Sequence, residues 1–187
     1  MPALATRILD LLCRPGLWLS WLTLVLVLSI LVSVAVAAAG TPVLLDWEGT
    51  LPVLGGALTA NSLTDLQWYI FALLVLFGGV VALRDNAHVA VDTVAGQFSG
   101  RTRLVIRTVG DLVFLLPFAA IIVWYGWTFA ETAWTTGEGS TQGGLNDRWL
   151  MKAMLPVSFA LLGLAGLVRA VGTIVGLTRG TLPGKLD

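Results

Sequence analysis

Charged side chains inside apolar stretches are the residues of this chain whose chemistry needs an explanation. Arg103, Arg107 and Asp111 follow one another at i, i+4 and i+8, on one helix face. Asp111 lies about one turn inside an apolar stretch, where a carboxylate is costly and usually paired. Arg169 lies 17 residues after Lys152, or ~25 Å along a helix, which brings it close to the depth of Asp111. We predict an intramembrane ion pair of Asp111 with Arg169 or Arg107. A proton relay through Asp111 is less favoured, because no chain of buried carboxylates accompanies it.

Other reactive groups are scarce. The chain has one histidine, His88, and one cysteine, Cys13, which excludes a bis-His haem, a multi-His metal site and an intrachain disulfide. No phosphate-binding loop, zinc-protease or nucleophile-elbow motif occurs, and the glycine-rich segment 137–144 does not match a nucleotide loop. We therefore expect no catalytic residue, metal site or cofactor, and predict that the chain is not an enzyme.

The elements that hold these residues are four long apolar stretches. About 20 apolar residues are enough for a helix to cross a bilayer. The chain has 187 residues, 57% of them hydrophobic and 12% charged, against about 25% charged in soluble domains. We predict an all-α integral membrane protein whose single domain, 1–187, contains four transmembrane helices at about 17–39, 66–83, 104–127 and 153–177. The first stretch is too long for a signal-peptide core, so we expect a retained helix.

Basic residues are distributed unevenly between the two sides of these stretches. Net charge is zero, which gives no general attraction to nucleic acid. Only two basic residues, Arg148 and Lys152, fall on one side. The other side has nine: Arg7, Arg14, Arg84, Arg101, Arg103, Arg107, Arg169, Arg179 and Lys185. The positive-inside rule therefore predicts that both termini are cytoplasmic.

Two segments between the stretches have distinct patterns. Segment 40–65 is long and fairly apolar, and we expect it to pack on the outer membrane surface or on a partner. Segment 84–100 is too polar to span, and its apolar residues recur at helical spacing. This pattern predicts an amphipathic interfacial arm, with Val91, Val94 and Phe98 facing the membrane.

Several local features predict how the helices begin and pack. Thr64 followed by Gln67 resembles a capping box at the start of the second stretch. The pair 78–79 (Gly-Gly) would allow a close helix contact there. Pro117 should kink the third stretch, whereas Pro156 should fall in the first turns of the fourth.

A family resemblance rests on two groups of residues taken together with the four spans. The first runs Gln67-Trp68-Tyr69-Ile70-Phe71, then Arg84, His88-Val89-Ala90-Val91-Asp92. The second runs Trp134, Gly137-Glu138, Arg148-Trp149, Lys152-Ala153, Pro156 and Phe159. Over about residues 15–175 the chain resembles the small, Q-type (DctQ) permease subunit of tripartite ATP-independent periplasmic (TRAP) transporters. The long 40–65 segment and Asn86 depart from the family pattern.

The resemblance implies a non-catalytic scaffold in the bacterial inner membrane. Its partners would be membrane lipids, a large M-type membrane subunit that carries the sodium and substrate sites, and a periplasmic protein that delivers an organic acid or similar solute. The residues that the resemblance implies in partner contact or interfacial anchoring are Gln67, Trp68, Arg84, His88, Asp92, Trp149, Lys152 and Pro156.

Two other classes of protein remain open at the level of sequence. One is a small channel that assembles with itself, which would show a polar stripe along at least one span. The other is a membrane anchor subunit of a redox enzyme, in which a partner would have to supply a second haem ligand. The transported solute is not encoded in any feature of this chain.

Overall fold

The fold, taken from a computed structural model that describes residues 3–87 and 98–179, is built on four apolar helical segments. The segments that are long and apolar enough to cross a membrane are Ala3–Ala39, Ala60–Arg84, Gly100–Thr135 and Trp149–Thr178. Each exceeds the ~20 residues needed. The predicted class, an all-α membrane protein with four candidate spans, is confirmed.

The first helical segment begins before the predicted span 17–39 and is interrupted. It consists of α1 (Ala3–Leu19) and α2 (Leu22–Ala39). The predicted span, 17–39, contains all of α2, and the preceding helix α1, which was not predicted, is amphipathic. Ala5, Leu9 and Cys13, spaced four apart, are buried, while Arg7 and Arg14 are exposed. A hydropathy window that averages over both faces misses such a helix.

Segment 40–65 contains a β-hairpin that the sequence analysis did not predict. Strand β1 (Val43–Leu51) pairs antiparallel with β2 (Gly55–Thr59). The register shifts twice along this pair. Each bulge moves the following side chains to the other face, which destroys the simple alternation by which a strand is identified in a sequence.

Helix α3 (Ala60–Arg84) starts directly after β2, and its cap is not the predicted one. The Thr59 hydroxyl accepts from the Ser62 N–H and the Ser62 hydroxyl accepts from the Thr59 N–H, both at 3.2 Å. The predicted capping box is therefore wrong. Thr64 lies inside the helix and donates to the Ala60 carbonyl. The extended backbone of Thr59, which ends β2, places its hydroxyl over the helix start.

The third segment is continuous but irregular. Helix α4 (Gly100–Gly110), capped by Ser99, leads into a π-helical turn (Asp111–Leu115) and then α5 (Leu116–Thr135). The Leu116 N–H donates to the Asp111 carbonyl, five residues back. The irregularity lies just before Pro117, which has no N–H for the α-helical bond to the Val113 carbonyl.

Helix α6 (Trp149–Thr178) is the central helix of the bundle. In the most apolar 18-residue stretch of α6, 39% of the residues are buried, against 6% in that of the first segment. Because α6 begins four residues before the predicted boundary, Pro156 lies about two turns from its start. The ring of Pro156 packs on Gly126 of α5, where an added Cβ would come within 3.2 Å of Cδ.

Helix α1 packs on α3 through a different glycine from the predicted pair. A Cβ on Gly16 would lie 2.7 Å from the Phe77 carbonyl oxygen, so the two backbones are in close contact. At Gly78 and Gly79 a Cβ would meet no atom of the described residues within 4 Å, so the helix contact predicted there is not made within this part of the chain. The core beside α1 is formed by Leu9, Cys13, Val80, Leu83 and Ala165.

The predicted interfacial arm lies largely outside the described residues. Helix α3 ends at Arg84 and α4 begins at Gly100. Of the arm residues, His88, Val91, Asp92, Val94 and Gln97 fall within 88–97, which the structure does not describe.

Candidate functional site: a buried arginine–aspartate junction

Arg169 and Asp111 form a bidentate ion pair between α6 and the π-helical turn. Arg169 Nε donates to Asp111 Oδ2 at 2.8 Å, and Nη2 donates to Oδ1 at 2.5 Å. Their side chains are only 11% and 6% exposed. The planar guanidinium fits the carboxylate fork, so the bond fixes the orientation of both side chains as well as their separation.

Arg169 also reaches the C-terminal end of α3. Its Nη1 donates to the Leu83 carbonyl at 2.8 Å and to Asn86 Oδ1 at 3.4 Å. The last four carbonyls of a helix have no partner within it, and Leu83 is one of these. Asn86 has a left-handed backbone (φ +52°), a conformation that asparagine tolerates better than most residues. One guanidinium therefore joins the end of α3, the π-helical turn and α6.

The junction leaves little capacity for ion movement. Each oxygen of Asp111 accepts a hydrogen bond from Arg169. Among residues 3–87 and 98–179 Asp111 is the one buried acid, so a relay would have no second carboxylate there. Arg107 is four residues before Asp111 and half-buried, but the bidentate partner is Arg169. The arrangement is that of a structural connection between helices.

A second ion pair at the same end of the bundle holds α1 against α3. Arg84 Nη2 lies 2.5 Å from Asp10 Oδ1, with both side chains partly exposed. One turn away the Cys13 thiol approaches the Val80 carbonyl at 3.7 Å. We call this end, which also contains Arg169, the arginine end, and the opposite end, which contains β1 and β2, the hairpin end.

At the hairpin end, the hairpin and the loop 136–148 bind to each other. The Val53 N–H donates to Asp147 Oδ2 at 3.0 Å, and the Asn146 N–H donates to the Val53 carbonyl at 2.7 Å. Val53 and Asp147 both have positive φ, 67° and 55°. Two left-handed non-glycine residues are costly, so the contact must compensate for their strain.

The same loop is also attached to the start of α3. Asp65 Oδ2 accepts from the Leu145 N–H at 3.0 Å, and the Asn61 amide donates to the Gln142 carbonyl at 2.6 Å. Gly144 lies so close to the Asp65 carboxylate that a Cβ there would clash with it. The hairpin, the loop and α3 therefore form one connected layer across this end.

The residues expected at the outer end of the fourth span make contacts within the chain. Lys152 pairs with Glu138 and places its ammonium 3.9 Å from the centre of the Phe129 ring. Trp149 makes an edge-to-face contact with Trp134, with centroids 4.6 Å apart at 86°. These contacts connect the first turn of α6 to the end of α5.

The remaining predicted site residues are placed differently from one another. Gln67 Nε2 donates to Ser33 Oγ at 2.6 Å, which joins α3 to α2. Trp68 is 66% exposed on α3. His88 and Asp92 lie outside the described residues. Contact of any of these side chains with a partner stays a prediction.

The contacts that hold the elements together at the two ends of the bundle were not predictable from the sequence. Nothing in the sequence singled out Asp10, Asn61, Asp65 or Asp147 as contact residues. No spacing rule could have found them, because their partners are 74 to 94 residues away or in another element. Within the described part of the chain, no three His, Cys, Asp or Glu residues come together as a metal site would require.

Comparison with known proteins places this arrangement in a family. A search of curated proteins gave no match. The family model described as tripartite ATP-independent periplasmic transporters, DctQ component, matches residues 53–176. The match runs from the tip of the hairpin through almost all of α6 and includes Asp111 and Arg169. The chain therefore belongs to the DctQ family, the small membrane subunits of TRAP transporters.

Proposed function

We propose that this chain is a scaffold that braces the large transport subunit of a sodium-coupled TRAP transporter. The solute, an organic acid or a similar molecule, would be delivered by a periplasmic solute-binding protein. The chain would form a single membrane domain over 1–187 in the bacterial inner membrane. The division of basic residues, nine on one side and two on the other, supports a cytoplasmic location for both termini. The arginine end then faces the cytoplasm and the hairpin end the periplasm.

The internal pairing of buried charge is the observation that carries this proposal. An ion-coupled carrier needs charged or polar groups that can bind and release a substrate. Asp111 is held by Arg169 through both oxygens, and Arg169 is further held by the Leu83 carbonyl. The intramembrane charges therefore stabilise the bundle itself, which supports a scaffold whose transport chemistry lies in another chain.

Exposed apolar faces supply the surface for the large subunit and for lipid. Helix α2 buries only Ser29, and most of its apolar side chains are exposed. Helix α5 exposes Ile121, Trp124 and Tyr125. Among the residues implied by the resemblance, Trp68 is the direct candidate for a partner contact. Arg84, Trp149, Lys152 and Pro156, with their intrachain contacts, would act by holding the helices that present these faces.

Segment 84–100 would extend from the bundle as an interfacial arm, with His88 and Asp92 anchoring it at the cytoplasmic surface. Phe98, at its described end, is 41% exposed. Replacing Val91 and Phe98 together by Asp should reduce the yield of the complex with the large subunit, because two carboxylates would enter the membrane interface. An unchanged yield would contradict the burial of the arm.

Reconstitution tests the function directly. Proteoliposomes that contain the large subunit and this chain, with the solute-binding protein added outside, should take up solute when a sodium gradient is applied. Omission of this chain should abolish uptake or stable recovery of the large subunit. This chain alone should conduct no ions. Ion-conducting homo-oligomers would favour the channel alternative, and copurified haem or quinone would favour the redox-anchor alternative.

A further inference from the structure

An apolar groove runs between the start of α1 and the last turns of α6, at the arginine end. Its volume is about 480 Å³, within the ~300–1,000 Å³ typical of ligand pockets. Small residues at its floor, Ala5 and Gly172, keep it open. The walls are aliphatic and, apart from one charged residue, the lining is apolar: Leu4, Ile8, Leu167, Val168, Val171 and Val175.

The exposure of the walls shows that this chain does not cover the groove with its described residues. Leu4 is 71% exposed and Val171 50% exposed. In the plane of a membrane such a groove is filled by an acyl chain or by an apolar helix. The charge at the end of the groove distinguishes between these two occupants.

Arg179 lines the end of the groove beyond Val175. Its side chain is exposed and has no carboxylate partner among the described residues. The surrounding end of the bundle is strongly basic. Eight described arginines there (7, 14, 84, 101, 103, 107, 169 and 179) face three carboxylates (10, 85 and 111), a surplus of five positive charges. Arg179 is also the C-cap residue of α6, whose C-terminal dipole amounts to roughly half a negative charge. The excess of cations outweighs that opposing dipole.

We propose that this groove binds an anionic phospholipid, with one acyl chain between α1 and α6 and the headgroup phosphate on Arg179. Basic pockets between membrane helices bind acidic headgroups in this way. The guanidinium would donate hydrogen bonds to the phosphate oxygens, and the aliphatic walls would bury the chain. The site is independent of the transport role, because it requires only that the four helical segments lie in a membrane. Bound lipid would stabilise the packing of α1 on α6.

Native mass spectrometry of the full-length chain, delipidated and titrated with phosphatidylglycerol or phosphatidylcholine, tests this site. Wild-type protein should retain phosphatidylglycerol in preference to phosphatidylcholine. Arg179→Gln should weaken phosphatidylglycerol binding roughly fivefold and remove the preference. Arg14→Gln removes an exposed cation that does not line the groove. It should leave both the binding of phosphatidylglycerol and the preference for it unchanged. Gly172→Leu should reduce binding of either lipid by filling the groove.

Three results would overturn the proposal. One is equal retention of the two lipids by the wild type. Another is an equal loss of phosphatidylglycerol binding in Arg14→Gln and Arg179→Gln. The third is displacement of phosphatidylglycerol when the large subunit is copurified, which would make the groove a protein-binding surface. Circular dichroism of each variant separates loss of the site from loss of the fold.

Discussion

Removing one partner of the buried ion pair should destabilise the bundle far more than removing both. Arg169→Leu leaves the Asp111 carboxylate buried without its cation and the Leu83 carbonyl without its donor. Asp111→Leu leaves a buried guanidinium that has lost both carboxylate bonds. These two variants test whether the junction holds the helices together.

The expected magnitudes follow from the contacts. Breaking a buried ion pair by removing one partner costs about 3–5 kcal/mol. Replacing both partners by apolar residues removes the uncompensated charge. In Asp111→Leu/Arg169→Leu the remaining defect is the Leu83 carbonyl, and an unsatisfied buried acceptor costs about 1–3 kcal/mol. The singles sum to about 6–10 kcal/mol, so the coupling energy in a double-mutant cycle should be at least ~3 kcal/mol.

Equilibrium unfolding in mixed micelles with increasing dodecyl sulfate measures these free energies. The eight tryptophans provide the fluorescence signal. Arg101→Leu, on the exposed side of α4, is the matched control and should change the free energy of unfolding by less than about 0.5 kcal/mol. A structural role of the ion pair is refuted if either single variant is as stable as the control. It is also refuted if the double variant loses the sum of the two single losses, because the two residues would then act independently.

Three further predictions concern packing and exposure elsewhere in the chain. Gly16→Ala should lower stability by about 1–3 kcal/mol, measured in the same unfolding assay, because its Cβ would press on the Phe77 carbonyl at 2.7 Å. Gly144→Ala should displace the Asp65 carboxylate and expose the loop 136–148, which limited proteolysis would detect as faster cleavage there. The fully buried Cys13 thiol should resist a maleimide in mild detergent and react after denaturation.

Each of these predictions has a defined contrary result. Gly78→Ala is the control for the glycine substitution in α1, since its Cβ would meet no atom of the described residues within 4 Å and alanine favours helix. Equal effects of the two substitutions would show that α1 does not contact α3 closely. Unchanged cleavage of the loop would mean that Asp65 does not hold it. Rapid labelling of the native thiol would place α1 away from the core.

The helical spans could be predicted because apolar length is a local property. A run of about 20 apolar residues is sufficient for a span, whichever helices surround it. Segments with one buried and one exposed face were harder to recognise in the sequence. Helix α1 averages to moderate hydropathy because its buried residues alternate with Arg7, Asp10 and Arg14. The hairpin lost its alternating pattern through bulges, and the cap of α3 depended on the strand that precedes it.

The candidate site was predicted only as a choice between partners. The position of Asp111 within a span indicated that it must be paired, and the depth of Arg169 made it one of two candidates. Whether Arg107 or Arg169 pairs with Asp111 depends on the π-helical turn and on the distance between α5 and α6. That distance is set by the packing of Pro156 on Gly126. The contacts of the loop 136–148 with the hairpin and α3 had no signal in the sequence at all.

By itself, the sequence determined that the chain has four membrane-length apolar segments, an excess of basic residues on one side and no catalytic or metal-binding motif. These follow from composition and order along the chain, and the family resemblance follows from motifs in that order. The tertiary structure decided which charges neutralise one another and which faces remain open. Those outcomes arise where side chains from helices that are distant in sequence meet at the same depth. The hydrogen bonds of Arg169 to Leu83 and to Asp111 form only after three helical elements have packed together.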